Sequence, residues 1–434
     1  MRREISFSQL VDELGSLLAP SLAEDWPNMP IERAKGSYVY DVEGKAYLDF
    51  VSGMASCNLG HCHPRVEEAA RKQMEKLVHG PSGVFAYESM VRLAYELAEV
   101  MPGDIDCFFF SNSGAEAVEG ALKLARYVTG RPAIIAFYGG FHGRTMGCVS
   151  LTTSKSAYRK NYHPLVDGIY HVPFPYCYRC PYGHTRAACG LECLEAVERV
   201  FAHLVPAEDV AAILLEPIQG EGGYVVPPEE FLRGLRGICD RHGILLIFDE
   251  VQTGFGRTGK MFAAHTFGVV PDIMAIAKGI ANGFPLSATA APRDLMKKWL
   301  AGSHGTTFGG NPVSCAAALA VLEAFREEKI LKGVGHLSEI CFAELEAMKD
   351  EFPVIGDVRG RGLMIGIEFV GPDGAPNPGA CQDVLDAALA KGLLMYPCGN
   401  KGQVIRFIPP LTVSEAELRR GLDILRRSIE EVRR

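Results

Sequence analysis

The chain has 434 residues, of which 48% are apolar and 22% charged, and its 44 basic and 52 acidic side chains give a formal charge of −8. It is too apolar and too weakly charged to be disordered, and long enough for two or three domain-sized units or one large domain with a satellite. A mildly acidic chain carries no overall field to attract nucleic acid or anionic lipid, so the expected ligand is small.

Leu10, Val11, Leu14, Leu17 and Leu18 have the spacing of an amphipathic N-terminal helix. Arg2 and Arg3 are followed by Glu4, Asp12 and Glu13 rather than by an apolar h-region. The longest apolar runs, such as Ile244 to Phe248, fall far short of the ~20 residues of a membrane helix. A cytoplasmic protein with no membrane partner is expected. A hairpin pattern comes next: Tyr38 to Tyr40, a turn through Asp41-Val42-Glu43-Gly44, and Tyr47 to Val51.

From about residue 90 to residue 290, short apolar runs alternate with helical patterns. The runs are Cys107 to Phe110, Ala133 to Tyr138, Val210 to Leu215, Ile244 to Phe248, Ile273 to Ala277 and Leu286 to Ala290. Strands that read as continuous apolar runs are covered on both faces, which predicts an α/β unit around a mostly parallel sheet. One intervening helix is bracketed by Pro227-Pro228-Glu229-Glu230 at its start and Gly243 at its end. After Pro312 the pattern is helical to about Glu351, then strand-like through Val358 to Phe369 and Val404 to Phe407. The last helix opens on the capping box Ser414-x-x-Glu417 and carries Leu418, Leu422, Leu425, Ile429 and Val432 on one face.

Sheets of this kind place their chemistry beyond the carboxyl ends of the strands. Ile244 to Phe248 ends in Asp249, which is either a helix cap, a structural ion-pair partner, or a partner for a cationic ring nitrogen. Ile273 to Ala277 ends in Lys278, either a solvated charge or, wedged among apolar neighbours, a desolvated nucleophilic amine. Cys107 to Phe110 runs into Ser111-Asn-Ser-Gly-Ala-Glu116, where a capping box at Ser113 is compatible with an anion site on the remaining helix-start amides. Ala133 to Tyr138 ends in a glycine-rich loop carrying Phe141, a core aromatic or a flat platform, and Arg144, a carboxylate fork.

Taken together, these segments resemble one family. Ser113-Gly-Ala-Glu-Ala, Phe141-His-Gly-Arg-Thr, Glu216-Pro-Ile-Gln-Gly-Glu-Gly-Gly223, Asp249-Glu-Val-Gln-Thr-Gly-Phe-Gly-Arg-Thr-Gly259, Lys278, Thr307-Phe-Gly-Gly-Asn-Pro312 and Arg406-Phe-Ile-Pro-Pro410 are similar to the class III pyridoxal-phosphate-dependent aminotransferases. That group includes the 4-aminobutyrate, ornithine and acetylornithine aminotransferases and dialkylglycine decarboxylase, and the likeness runs from about Ile31 to the C-terminus. It implies fold type I: an N-terminal helix and hairpin over 1–55, a pyridoxal-phosphate domain over 56–324, and a C-terminal small domain over 325–434 built together with the N-terminal segment.

Carried over residue by residue, the resemblance implies that Lys278 joins the aldehyde of pyridoxal 5'-phosphate and that Asp249 pairs with the pyridinium nitrogen, keeping the ring an electron sink. It implies Gln252 at the ring's 3-oxygen, Phe141 and Val251 on its faces, and Ser113, Gly114 and Ala115 on the phosphate. Thr307 would reach that phosphate from a neighbouring subunit, making the active unit a homodimer or a dimer of dimers. Arg406 would grip a substrate α-carboxylate, Glu221 would pair with Arg406 when an ω-amino donor leaves it unused, Arg144 would receive the distal carboxylate, and Met54 would line the pocket. The implied reaction moves an amino group from an ω-amino acid or related amine to a 2-oxo acid such as 2-oxoglutarate.

The runner-up on the same scaffold is an amino-acid racemase or a decarboxylase, though Phe141 and Arg144 depart from the decarboxylase pattern. Gly254-Phe-Gly-Arg-Thr-Gly259-Lys260 approaches a nucleotide-phosphate loop, but Met261 stands where the magnesium-binding hydroxyl belongs. Cys177, Cys180, Cys189 and Cys193 have a spacing open to zinc, to disulfides or to free thiols in a Pro-Tyr-rich loop. No metal is assigned to the site.

Overall fold

The computed structural model describes Gln9, Ala19, Ser21 and residues 29–432; the helix anticipated over Leu10 to Leu18 lies outside the described residues. Three strands open this part of the chain: β1 (Ile31–Lys35), β2 (Tyr38–Asp41) and β3 (Ala46–Asp49). The β2/β3 hairpin is tied by Asp41, whose Oδ1 accepts from the amides of Glu43 and Lys45 at 3.0 and 2.8 Å.

The apolar runs fold as β4 (Ile105–Ser111), β5 (Ala133–Phe137), β6 (Ile169–Val172), β7 (Val210–Leu215), β8 (Leu245–Asp249), β9 (Ile273–Ile276) and β10 (Ser287–Pro292). They form one seven-stranded sheet in the order β4-β10-β9-β8-β7-β5-β6, in which only β10 runs against its neighbours. The reversal has a local cause: residues 277–286, which join β9 to β10, contain only the single helical turn Lys278–Ala281 rather than a full crossover helix, and a parallel return needs about a dozen residues or more.

Alternate residues of one strand enter different cores. Ile134, Ala136, Leu214 and Ile247 pack under the helix Gly114–Thr129, whereas Ile135, Phe137, Leu215 and Phe248 share the opposite core with Phe231, Leu232 and Leu235 of the helix Glu229–His242. Burial on both faces is what makes these strands read as unbroken apolar runs.

The remaining strands are β11 (Ile355–Arg361), β12 (Met364–Phe369), β13 (Leu393–Leu394), β14 (Tyr396–Cys398) and β15 (Val404–Phe407). The single strand-like stretch Val358 to Phe369 is in fact the hairpin β11/β12, broken at Gly362, which has φ +59° and no room for a Cβ beside the Thr258–Gly259 backbone. A second sheet has the order β11-β12-β15-β14, and a third the order β1-β2-β3-β13. The parallel pairing of β13 with β3 joins the C-terminal segment to the opening hairpin. Among the described residues, no helix is long and apolar enough to cross a membrane.

Candidate active site

The strand ends open into a cleft of about 1140 Å³. At the end of β8, Asp249 is only 4% exposed; its Oδ1 accepts from the Val251 amide at 3.1 Å and its Oδ2 lies 2.8 Å from His142 Nδ1. At the end of β7, Glu216 accepts from the amides of Phe141 and Gly220 at 2.9 and 2.8 Å. Burial, reinforced by the charge of Asp249, pushes its carboxyl up to about 7. Lys278 follows β9 in a left-handed backbone conformation, φ +47°. Burial lowers its amine to about 8, although Asp249 and Glu216 pull the other way. A strained backbone conformation and a desolvated amine in one residue mark a reactive position rather than a surface charge.

The helix Gly114–Thr129 points its start into the same cleft. Ser113 and Glu116 form the expected capping box, which occupies the amides of Asn112, Ser113 and Glu116. The amides of Gly114 and Ala115 are left, at the positive end of the helix dipole. Gly114 is needed for close approach: a Cβ there would lie 2.8 Å from Val251 Cγ1.

Phe141 is half-buried at the cleft, edge-on to Tyr158 with ring centroids 5.8 Å apart, and the Arg144 guanidinium lies 3.7 Å over the Tyr158 ring. At one end sits a buried charge cluster. Glu221 Oε2 accepts from Arg406 Nη2, while its Oε1 accepts from Lys155 Nζ at 3.0 Å and from the Tyr158 hydroxyl at 2.8 Å. Burial would raise the Glu221 carboxyl, but Arg406 and Lys155 hold it below the usual carboxylate range.

Met54 enters the cleft from an unusual turn. Ser52, Gly53, Met54 and Ala55 all have positive φ, +48°, +59°, +59° and +64°. Left-handed backbone costs about 1–2 kcal/mol per non-glycine residue, so the turn must be held from outside. Asp49 Oδ1 accepts from the amides of Val51 and Ser52 at 2.8 and 3.1 Å, and Ser52 Oγ donates to the Ile408 carbonyl at 2.7 Å.

Of the residues singled out in the sequence, Met54, Ser113, Gly114, Ala115, Phe141, Arg144, Glu221, Asp249, Val251, Gln252, Lys278 and Arg406 all line this one cleft. Thr307 is exposed and does not line the cleft of its own chain. Sequence reasoning passed over His142, Glu216, Lys155 and Tyr158. The first two stand inside motifs it quoted; the other two lie in a polar loop with no distinguishing pattern. The cleft is less one-sidedly basic than its three arginine and lysine candidates suggest, because Asp249, Glu216 and Glu221 line it too.

Away from the cleft, Cys177, Cys180, Cys189 and Cys193 face one small cavity between Pro175, Leu191 and Pro228. All thirteen cysteines are free thiols, and among the described residues no group of three or more His, Cys, Asp or Glu is arranged to hold a metal ion.

The cleft suits an aromatic aldehyde bearing a phosphate: a desolvated amine, an acid at the neighbouring strand end, two helix-start amides, and in Gln252 a buried Oε1 without a hydrogen-bond partner. Fold and cleft together define a pyridoxal-phosphate-dependent enzyme. Residues 21–429 match the family model described as aminotransferase class-III, and the chain belongs to that family. It is 42% identical to 5-aminovalerate aminotransferase DavT of Pseudomonas putida over 404 residues, 93% of either chain. It is 40% identical to a leucine/methionine racemase of Thermococcus litoralis over 404 residues, 92% of this chain and 90% of the racemase. Among solved structures, taurine:2-oxoglutarate aminotransferase from Bifidobacterium kashiwanohense, in complex with pyridoxal phosphate and glutamate, superposes with a TM-score of 0.91 at 29% identity over 99% of both chains. The cofactor is pyridoxal 5'-phosphate, and the enzyme is a transaminase.

Proposed function

We propose that the enzyme transfers an amino group from an ω-amino acid of the 4-aminobutyrate or 5-aminovalerate kind to a 2-oxo acid such as 2-oxoglutarate. The observation that carries this reading is the buried Arg406–Glu221 pair. An arginine that grips α-carboxylates is a liability when the donor has none, since an unpaired buried charge costs about 3–5 kcal/mol. Glu221 supplies the alternative partner, and Arg406 is freed when a 2-oxo acid or α-amino acid arrives. DavT, named for an ω-amino acid, supports the same donor class.

In this reading the Lys278 amine would hold the cofactor and, once released by the substrate, would act as the base that takes a proton from the substrate carbon. Asp249 would hold the proton on the ring nitrogen, and His142 orients that carboxylate. Gln252, whose buried Oε1 has no partner, would face the ring hydroxyl, and Phe141 and Val251 would pack against the ring. The amides of Gly114 and Ala115 would bind phosphate at the helix start that Ser113 caps, with Thr307 added from a second subunit. Arg144 takes the distal carboxylate of a dicarboxylate and Met54 bounds the pocket. Pyridoxal phosphate, when bound, supplies the aldehyde that captures the amine and the ring that takes up the electron pair. Holding Lys278 and substrate on one frame is worth roughly 7–11 kcal/mol of the barrier. We assign 56–324 to a cofactor domain and the two terminal segments to a smaller one, in a cytoplasmic homodimer or dimer of dimers.

A donor panel assayed with 2-oxoglutarate and with pyruvate tests the assignment. Turnover of ω-amino acids with release of the oxo product is expected. The relationship to a racemase makes one outcome decisive: turnover of α-amino acids only, or racemisation without an oxo product, overturns the proposal.

A further inference from the structure

Glu221 divides its two oxygens between different parts of the chain. Oε2 belongs to Arg406 on β15, and Oε1 to Lys155 at 3.0 Å and Tyr158 at 2.8 Å. Lys155 is the N-cap of the single turn Ser156–Tyr158 and Tyr158 ends it; neither is attached to β15, so Arg406 can withdraw without disturbing them. The Tyr158 ring also carries the Arg144 guanidinium on its face at 3.7 Å.

We propose that Lys155 and Tyr158 are positioning residues that hold Glu221 back when Arg406 leaves it for a substrate α-carboxylate, and so set how well one cleft serves both ω-amino donors and α-oxo dicarboxylates. The inference rests on the proposed function, because only an enzyme that alternates between the two substrate types needs Arg406 to come and go. Glu221 is 9% exposed, and a carboxylate that deep, if left with Arg406 as its sole cationic partner, would compete with every incoming α-carboxylate for the guanidinium. Two donors on the opposite oxygen neutralise that competition and keep the charge from following Arg406 toward the substrate. Through its ring, Tyr158 also connects this anchor to Arg144, so the two ends of a dicarboxylate are read by groups in contact with each other.

The experiment uses the holoenzyme of wild type and of Lys155→Met, Lys155→Arg and Tyr158→Phe. Each half-reaction is followed separately by the absorbance of the cofactor, and 2-oxoglutarate binding to the aminated enzyme is measured by calorimetry. For Lys155→Met, the Michaelis and dissociation constants for 2-oxoglutarate and glutamate are expected to rise roughly tenfold relative to those of an ω-amino donor, with kcat moving far less. Lys155→Arg is expected to recover most of that affinity, and Tyr158→Phe to show a smaller rise in the same direction. Equal losses in both half-reactions would mean that Lys155 serves only the fold and would overturn the inference, as would unchanged dicarboxylate constants. If the wild type turns over no ω-amino donor, the proposed function falls. The variants are then read on 2-oxoglutarate binding alone, where an unchanged constant still overturns the anchor.

Discussion

His142 Nδ1 and Asp249 Oδ2 are 2.8 Å apart, although 107 positions separate the two residues in the chain, and both side chains are almost entirely buried. The contact fixes the Asp249 carboxylate, whose other oxygen is taken by the Val251 amide, so that neither oxygen is free to turn away from the cleft. Replacing His142 by Leu removes a hydrogen bond to a charged group and is expected to lower kcat by about ten- to a hundredfold while Lys278 still attaches the cofactor. Stopped-flow absorbance separates the two effects; an unaltered proton-transfer rate would refute the orienting role.

Lys278 titrates near 8 in the fold against an ordinary 10.5, lowered by burial. Between those values the unfolded chain holds a proton that the folded apoprotein has released, so stability climbs with pH across that window and the full penalty is present below it. Lys278→Met in the apoprotein is expected to raise stability at pH 7 by on the order of 3 kcal/mol, and the gain should vanish near pH 10.5. Thermal melts at the two pH values check this, and a gain that does not depend on pH rules it out. The rate of cofactor attachment to the wild-type apoprotein should rise with pH through about 8.

Arg406→Gln removes the partner of Glu221 and, on the proposed function, the grip on α-carboxylates with it. The glutamate half-reaction should fall by more than about a hundredfold and the ω-donor half-reaction by much less. Single-turnover kinetics with one donor of each kind provide the comparison, and parallel losses would remove Arg406 from carboxylate recognition.

Gly114→Ala tests the phosphate end. The added Cβ would meet Val251 Cγ1 at 2.8 Å, so either the helix start or Val251 must shift. Cofactor affinity is expected to drop about tenfold with little change in melting temperature of the apoprotein. Fluorescence titration of the apoprotein measures it, and unchanged affinity would show that the helix start has slack.

The sheet was legible because each of its central strands is covered on both faces and therefore written as an apolar run. Asp249 and Lys278 could be singled out because each closes such a run, but position alone left them open to a cap, an ion pair or a solvated charge, and only the family resemblance gave them roles. His142, Lys155 and Tyr158 were not: each acts through a partner at least 60 positions away, and no periodicity encodes a contact between a loop and a distant strand end. The left-handed turn at Ser52–Ala55 was hidden for the same reason, since three of its four residues are not glycine and the Ile408 carbonyl that helps hold it lies 356 positions away. A cue did exist for Glu216 and His142, both polar residues inside glycine-rich motifs at strand ends.

That same turn makes the pocket wall depend on the far end of the chain. Ser52, which presents Met54, leans on Ile408; Asn58 accepts Leu411 through its carbonyl and Arg257 through its side chain; and Arg257 in turn holds the Pro409 carbonyl. The wall of the pocket is thus clasped by the segment that also bears Arg406. Asp249 and Lys278 stand at strand ends of the seven-stranded sheet itself, whereas the substrate-facing side exists only where the stretch around residue 410 is docked on the N-terminal turn, so a change at either end of that clasp reaches the pocket wall without touching the strand ends.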